Sequence, residues 1–313
     1  KLKSINSHVY IHGDTIGGGS LIRAILNHLK RGYRVVMEEA AAYSVRNDLD
    51  EVKSMGIEIG KDPILNDFQE MEIREVDLPA LESFLSKFGE NLQVDVVAIA
   101  VQDHGVAPKG VSDRAFRFEK MEAMLREDRR PETFCFEENS IPSYYLRMRS
   151  AVKAIRRTST TPVLVMDTSF SAILGCMEEV TGPSLVVNVG NGHTIAALVV
   201  EGKVEGLYEH HTHELTPEKL ERDLPLFTTG ELDGKKVFEE NGHGAMTLTP
   251  YQGEVRLFVT GPNRDLFKGT SMKFTYAAPG GNTMMTGPMG LVRAAKYRLG
   301  QSTGEQKEVG SKG

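Results

Sequence analysis

The segment from Ser184 to Val200 constrains the fold of this chain more than any other. Two mostly apolar, β-prone runs flank the polar stretch Asn188–Thr194, which contains Gly190, Asn191 and Gly192. Asn and Gly in a short link between two such runs are typical of a β-hairpin turn. A second turn with Gly202 leads into a third run that ends near His210. The sequence therefore predicts three consecutive strands connected by tight turns.

The first part of the chain alternates short strands with helices. A strand over 8–12 ends in the glycine-rich turn Gly13–Gly19, and apolar residues at helical spacing follow over 21–29. The run Val94–Val101 is almost continuously apolar, which is typical of a strand buried on both faces of a mostly parallel sheet. We also predict helices over 40–55, 78–88, 116–129, 143–157, 167–177, 217–226 and 286–299, and strands over 34–37, 163–166, 255–260 and 274–278. This alternation predicts the α/β class.

The length of 313 residues favours about two domains. We predict a first domain with a helical insert over 1–160, a second domain over 161–300 and a disordered tail over 301–313. The contents of 40% hydrophobic and 26% charged residues are ordinary for a globular protein, so a core of this size needs no disulfide framework.

Charge and hydropathy narrow the classes of partner. The net charge of −6 argues against nucleic acid, because neutralising phosphates requires clustered positive charge. No apolar run approaches the ~20 residues that span a bilayer, which argues against a membrane partner. Because there are only two cysteines and no signal peptide, we expect a cytoplasmic location. Homodimer formation is a further possibility.

The polar turn of the hairpin is the first candidate for chemistry. Gly and Asn allow several backbone N–H groups to point into one space, and no Cβ of a glycine blocks an approaching phosphate. The hydroxyl of Thr194 could add a donor. An ordinary hairpin turn accounts for these seven residues equally well, so the surrounding order of elements has to decide.

That order resembles a known superfamily. A helix follows Asp167, the hairpin comes next, then the strand over 255–260 runs into Gly261-Pro262-Asn263, and a Gly/Ala-containing helix closes the chain. This succession resembles the second domain of the actin, heat-shock chaperone and sugar kinase superfamily. The resemblance implies two actin-like (ribonuclease H-like) domains with a cleft between them, and it implies ATP and Mg²⁺ as cofactors. The residues that it places on the phosphates are Asn188, Gly190, Asn191, Gly192 and Thr194, with Gly261, Pro262 and Asn263 beside the nucleoside.

The chain departs from the superfamily pattern in two places. The hairpin of the second domain normally opens with an Asp that orders Mg²⁺, whereas Asn188 is neutral and a poorer ligand. The first domain should begin with its own phosphate hairpin, and nothing before His8 can supply one. If the resemblance holds, about 40 or more residues precede Lys1 in the complete domain.

A closer resemblance covers nearly the whole chain. It is to a branch of the superfamily labelled pyruvate formate-lyase activating enzyme. The residues that carry it are Gly17–Gly19, Gln102–Gly105, Asp167-Thr168, Glu209–Thr212, Gly242–Gly244 and Thr260–Pro262. A radical activase of that kind holds its iron–sulfur cluster with three cysteines at Cys-x₃-Cys-x₂-Cys spacing. Cys135 and Cys176 lie far apart, so we expect neither this cluster nor that chemistry.

Histidines and carboxylates suggest a metal-dependent alternative. Asp103 and His104 follow the apolar run at 94–101, where ligands collect at the carboxyl ends of strands in α/β folds. His210 and His211 end the third hairpin strand, and His243 stands between two glycines. Imidazole and carboxylate together suit Zn²⁺, Fe²⁺ or Mn²⁺. Hydrogen-bonded loop histidines without a metal are the simpler interpretation, because no recognised ligand spacing is present.

Two further features have a functional and a structural interpretation. The turn that contains Gly17, Gly18 and Gly19 precedes a helix and could bind an anion, but it is neither a Walker loop nor a dinucleotide fingerprint. A turn that packs the helix on the sheet explains it as well. The predicted helix over 143–157 carries a basic cluster, which indicates either an anion site or a solvated face: Arg147, Arg149, Lys153, Arg156 and Arg157.

The sequence thus supports three functional hypotheses. The first is binding of ATP with transfer or hydrolysis of its terminal phosphate to an unknown small-molecule or protein acceptor, in which Asp103 or His104 orients the nucleophile and Asp167 holds metal-bound water. The second is a metal-dependent enzyme that uses the Asp/His group. The third, which the neutral Asn188 favours, is a binding protein without turnover on the same fold. Fold alone does not decide among them.

Overall fold

The computed structural model describes residues 2–61 and 67–310. They form a mixed α/β protein with a parallel sheet and two further sheets. The chain divides into two compact units. The first comprises 1–97, 101–110 and 138–163, and the second comprises 98–100, 111–137 and 164–313. Each unit has a hydrophobic core of its own.

The regular elements are as follows. The strands are β1 (His8–Gly13), β2 (Val35–Met37), β3 (Glu58–Ile59), β4 (Phe68–Ile73), β5 (Val97–Ala100), β6 (Cys135–Glu137), β7 (Val163–Met166), β8 (Ser184–Val189), β9 (His193–Val200), β10 (Lys203–His211), β11 (Gly244–Thr247), β12 (Arg256–Thr260) and β13 (Phe274–Tyr276). The α-helices are α1 (Gly19–Lys30), α2 (Glu39–Ala42), α3 (Leu49–Ser54), α4 (Leu78–Ser86), α5 (Asp113–Glu127), α6 (Leu146–Arg156), α7 (Thr168–Cys176), α8 (Pro217–Thr229), α9 (Gly234–Glu239) and α10 (Thr286–Gly310).

The first unit is built on a parallel sheet of order β3-β2-β1-β4. The two central strands, β1 and β2, bury Val9, Ile11, Val35 and Met37 completely. Near-continuous apolar side chains are what a strand covered on both faces requires. In this sheet the carboxyl ends of β1, β2 and β3 open onto the same edge.

The helix predicted over 40–55 is two short helices, α2 and α3. The segment between them makes specific contacts instead of continuing the helix. The Ser44 hydroxyl accepts the N–H of Ile16 at 2.8 Å, and the Asp48 carboxylate caps α3 by accepting the N–H of Asp50 at 2.8 Å. Side-chain bonds of this kind compete with helical backbone bonds and end a helix.

The second unit contains the predicted hairpin. Strands β8, β9 and β10 are antiparallel neighbours, which confirms the three-strand prediction. Strand β12 joins β8 in parallel on its other side, and β13 continues the sheet in parallel beyond β12. The full order is β11-β10-β9-β8-β12-β13: α8 and α9 lie between β10 and the edge strand β11 in the chain, and residues 248–255 lead from that edge to β12 beside β8.

Two expectations differ from the structure. The run Val94–Val101 yields only the four-residue strand β5, which is half-buried and lies at the edge of a small sheet of order β5-β7-β6. The apolar composition predicted a strand buried on both faces, whereas a strand at the edge of a sheet is less covered by its neighbours. Helix α10 begins at Thr286 as expected but extends past Leu299 to Gly310. Disorder over 301–313 stays a prediction, and 311–313 lie outside the described residues.

Within the described ranges, no helix combines the length and apolar character needed to cross a bilayer.

Candidate functional site

Two glycine-containing turns meet at the carboxyl ends of β8 and β12. The Asn263 side-chain amide donates to the Gly190 carbonyl oxygen at 2.9 Å, and the Asn263 N–H donates to the Val189 carbonyl at 3.1 Å. Gly261 has a φ of +98°, and a Cβ at this position would overlap the Val189 carbonyl oxygen. Only glycine fits this close approach with a left-handed backbone. The second unit therefore brings together the hairpin turn and the turn at 261–263.

Hydrogen bonds within the protein determine which backbone groups of the hairpin turn remain available to a ligand. The Gly190 N–H closes the turn on the His193 carbonyl at 3.0 Å. Thr212 occupies the turn carbonyls, because its hydroxyl donates to Gly190 at 2.8 Å and its N–H donates to Gly192 at 2.9 Å. Within 2–61 and 67–310, the exposed amides of Asn191 and Gly192 have no protein acceptor. These two N–H groups are available to an anion.

The other predicted phosphate contacts occupy different environments. The side chain of Asn188 is half-buried, and its Oδ1 would lie 2.8 Å from a Cβ on Gly261, so it stands between the two turns. Thr194 is fully buried, and its hydroxyl bonds the hydroxyl of Thr212 at 3.0 Å. In this structure Thr194 thus stabilises the turn through its buried hydrogen bond with Thr212.

Three histidines of the second unit gather next to the turn. His193 is the first residue of β9, His211 is the last residue of β10, and His243 directly precedes β11. Their ring centroids are 4.7 Å apart for His193 and His243, 4.9 Å for His211 and His243, and 5.0 Å for His193 and His211. His193 and His243 each offer a ring nitrogen, and these two atoms lie within 4.8 Å of each other. The metal ligands predicted from sequence do not include His193, although its position directly after the polar turn was a usable signal.

Burial favours the neutral forms of His243 and His211. Desolvation lowers the pKa of His243 to about 2, and the positive charges of Arg117 and Arg114 add to this effect. Burial also lowers the pKa of His211, whose Nδ1 lies 2.9 Å from the Asn241 carbonyl oxygen. A neutral imidazole that donates its Nδ1–H to a carbonyl keeps Nε2 as an acceptor or metal ligand.

His210 is not part of this group. Adjacent residues in a strand point to opposite faces, and the ring of His210 is fully buried on the other side from His211. Its Nδ1 lies 3.1 Å from the His211 carbonyl oxygen, and its Nε2 lies 2.9 Å from Lys219 Nζ. Burial lowers its pKa as well. Both ring nitrogens of His210 therefore have protein partners.

A buried ionic network underlies the histidines. Arg117 on α5 donates from Nε to the Glu209 carboxylate at 3.0 Å and from Nη1 to Asp167 Oδ2 at 2.9 Å. The side chains are 2%, 0% and 6% exposed, in the order Arg117, Glu209 and Asp167. Asp167 also caps α7 by accepting the N–H of Ser169 at 2.8 Å. Its contacts identify Asp167 as an organising residue of this unit, whereas a role in binding metal-bound water stays a prediction.

Asp103 and His104 lie in the first unit. The buried Asp103 carboxylate accepts the N–H of Gly105 at 2.9 Å and that of Met148 at 3.0 Å, which ties the loop after β5 to the start of α6. His104 is half-buried beside it. A catalytic role for either residue stays a prediction from sequence.

The Gly17–Gly19 turn also belongs to the first unit. A Cβ on Gly18 would overlap the Ser44 carbonyl oxygen, and one on Gly17 would lie 3.1 Å from the Arg147 guanidinium. Space around Gly19 is open. Two of the three glycines are thus explained by packing of the loop, which favours the structural interpretation for them.

Comparison with protein families assigns the chain to one of them. The family described as "Putative pyruvate format-lyase activating enzyme (DUF1786)" matches residues 16–266. The chain belongs to this family. No curated protein matches it. The family match covers the hairpin, all three gathered histidines and the turn at 261–263.

The cysteines do not suit the activase chemistry in the family description. Cys135 and Cys176 are the two cysteines of the sequence, and both are buried free thiols. Burial raises the pKa of Cys135 to about 11 and that of Cys176 to about 12. Cluster ligands are thiolates, and a radical-activase cluster takes three of them. Within these 313 residues the family description is therefore not supported by the ligands it needs.

Proposed function

We propose that this protein binds ATP at the two joined turns of its second unit and transfers or hydrolyses the terminal phosphate, as a member of the actin-like ATPase superfamily. The single observation that carries the proposal is the Asn263–Gly190 contact. It brings the predicted phosphate turn and the predicted nucleoside turn to one edge of the sheet, where α/β proteins bind ligands.

The topology of the second unit supports the superfamily assignment. Three antiparallel strands, β8 to β10, are followed by the helices α8 and α9 and the edge strand β11. The strand β12 then adds in parallel to β8, and β13 adds in parallel to β12. A ribonuclease H-like domain has this arrangement. The first unit supports the assignment less, because its described strands pair in parallel only.

The chemistry of the turn suits a phosphate. The amides of Asn191 and Gly192 are exposed and have no acceptor in the described part of the second unit. Preorganised N–H groups stabilise charge on a transferring phosphoryl group without reorganisation, and phosphoryl transfer depends mainly on such positioning. Gly261 allows the backbone of the second turn to approach the Val189 carbonyl, which holds the two turns close together.

Mg²⁺ fits the donor set of the second unit poorly. Near the turns Asn188 offers a neutral amide oxygen, and the Asp167 carboxylate is engaged by Arg117 and the α7 N-terminus. Mg²⁺ prefers carboxylates together with substrate phosphates. We therefore assign no step to the ion, and we expect any Mg²⁺ to enter with the nucleotide.

Calorimetric titration of the chain with ATP tests the proposal. The Asn191→Asp variant places a negative charge beside the phosphate position with no change in size. We expect it to weaken ATP binding about tenfold and to leave adenosine binding unchanged, since charge repulsion acts on the phosphates. Asn91→Asp, at an exposed position in the first unit, is the matched control.

Two results would overturn the proposal: no binding of ATP at millimolar concentration, or equal ATP affinity of the Asn191→Asp variant and the original protein. Binding without release of phosphate in the presence of Mg²⁺ would support nucleotide binding and exclude hydrolysis, which leaves phosphate transfer to an acceptor or the third hypothesis from sequence.

A metal-dependent enzyme is a second candidate, and the pair of His193 and His243 favours it. Their ring nitrogens lie within 4.8 Å, and burial lowers the pKa of His243, which favours the neutral imidazole that a metal binds. Two ligands on one metal at about 2.1 Å have nitrogens about 3.4 Å apart in tetrahedral geometry, so small ring rotations would complete the pair. The buried carboxylates of Asp167 and Glu209 offset the nearby Arg117 charge.

Visible absorption of added Co²⁺ tests this candidate. We expect a tetrahedral Co²⁺ spectrum that His193→Ala and His243→Ala each abolish, while the exposed neighbour variant His213→Ala retains it. The variant His104→Ala tests the sequence-based prediction that His104 is a ligand. A spectrum that is unchanged in both the His193 and His243 variants would exclude the site.

A further inference from the structure

A cavity of about 540 Å³ lies within the first unit, at the carboxyl ends of β1, β2 and β3. The loop after β1, the segment after β2, Lys61 after β3 and the helix α6 line it. Its volume is in the range of small-molecule sites. It is independent of the turns in the second unit, and neither the family description nor the proposed function uses it.

One wall is the basic cluster of α6, and ion pairing divides that cluster in two. Three of its arginines are neutralised within the first unit: Arg147 pairs with Glu75, Arg156 with Glu138, and Arg157 with Asp14. Arg149 and Lys153, one helical turn apart, have no carboxylate partner among the described residues and both line the cavity. These two exposed basic side chains of the helix thus border the same cavity.

The opposite wall is acidic. Glu38 and Glu39 directly follow β2 and line the cavity. The Glu38 carboxylate is held by the Gly13 N–H at 3.2 Å, which leaves oxygen lone pairs for a ligand. Glu39 is exposed and close enough to Tyr43 to raise the pKa of that phenol, after the larger effect of burial.

The turn Gly17–Gly19 before α1 does not line this cavity. Gly17 and Gly18 of that turn pack against Arg147 and Ser44 instead. An anion in this cavity would therefore be bound by α6. The carboxylates after β2 remain available for hydroxyl groups, since an acidic residue in this place of a parallel βαβ unit accepts from ribose hydroxyls.

We propose that this cavity binds a small phosphorylated ribose, with its phosphate on Arg149 and Lys153 and its vicinal hydroxyls on Glu38 and Glu39. Basic side chains (Arg149, Lys153 and Lys61) and the carboxylates of Glu38 and Glu39 line the same cavity, which suits a molecule with an anionic end and a hydroxyl-bearing end. Free ribose phosphate and a nucleoside monophosphate share this chemistry.

Calorimetric titration with ribose 5-phosphate tests the proposal. We expect the affinity to decrease with added salt, because salt screens the attraction between charges. We also expect it to be lower by about tenfold or more in the double variant R149A/K153A, because this variant lacks both phosphate-binding charges. The control R23A/K30A removes two exposed basic residues of α1 outside the cavity and should bind normally. Circular dichroism confirms folding of both variants.

The diol half of the proposal has its own test. The original protein should prefer ribose 5-phosphate to 2-deoxyribose 5-phosphate, and Glu39→Gln should reduce that preference. Parallel titration with adenosine monophosphate distinguishes the two sources of the ligand. R149A/K153A should weaken that binding, whereas Asn191→Asp should not, which separates this cavity from the nucleotide turns. Absence of ribose 5-phosphate binding, or unchanged affinity in R149A/K153A, would overturn the inference.

Discussion

The side-chain amide of Asn263 lies 2.9 Å from the carbonyl oxygen of Gly190, and this hydrogen bond joins two turns that are separated by the helices α8 and α9 in the chain. Neighbouring parallel strands β8 and β12 place both turns at one edge of the sheet. The bond fixes their relative position before any ligand arrives, and preorganisation of this kind reduces the cost of binding.

Loss of this bond should affect binding more than stability. In Asn263→Ala we expect the dissociation constant for ATP to rise about three- to tenfold, because a net hydrogen bond contributes about 1 kcal/mol. The side chain is exposed, so the melting temperature should change little. Calorimetry and thermal unfolding measure the two quantities, and Asn27→Ala on α1 serves as the control. A large drop in melting temperature with normal affinity would contradict this view of Asn263.

Gly261 should tolerate no side chain. We expect Gly261→Ala to lower the free energy of unfolding by about 2 kcal/mol or more, since its φ is +98° and a Cβ would overlap the Val189 carbonyl. Gly192→Ala is the matched control, because a Cβ there meets nothing within 4 Å. Urea titration of both variants measures the difference, and equal midpoints would show that the turn at 261 relaxes freely.

The buried network should be sensitive to removal of one partner. In Glu209→Ala we expect a loss of about 3 kcal/mol in unfolding free energy, because Arg117 stays buried with part of its charge uncompensated. The exposed pair of Arg34 and Glu58 offers a comparison, and Glu58→Ala should cost less than about 1 kcal/mol. Similar losses in the two variants, measured by urea unfolding, would mean that Arg117 gains solvent or a new partner.

Stability should decline in mild acid partly through His28. Burial lowers the pKa of His28 and the charges of Arg31 and His8 lower it further, while its bond to the Ser7 carbonyl opposes this shift. The unfolded chain, with a pKa of about 6.5, therefore takes up a proton before the folded chain does. Stability falls as pH drops below about 6.5, by at most about 1.4 kcal/mol per pH unit from this group.

Urea midpoints between pH 7.5 and pH 5 measure this contribution. His28→Gln keeps a donor for the Ser7 carbonyl but does not titrate, so its midpoints should depend less steeply on pH. The same slope in the variant and the original protein would assign the acid sensitivity to other groups.

Patterns within short segments determined much of this protein. Hairpin β8–β9, helix α1 after its glycine turn and the proline-started helix α8 all follow from local spacing and capping residues. The sequence did not predict short or polar elements such as β3, β6, β11 and α9, because a segment of two to six residues is too short to show a clear periodicity. The break between α2 and α3 depends on Ser44 and its partner Ile16, a contact across the fold that no local pattern indicates.

For the candidate sites, the types of residue could be predicted from the sequence, but the residues that each of them contacts could not. His211 and His243 were candidates from sequence, but the strand pairing of β9, β10 and β11 brought in His193 and turned His210 to the other face. The five bases of α6 look alike in sequence, and only their ion pairs distinguish the three that stabilise the unit from Arg149 and Lys153. Local spacing specifies which face of an element a side chain occupies, whereas its partners come from distant segments and depend on tertiary packing.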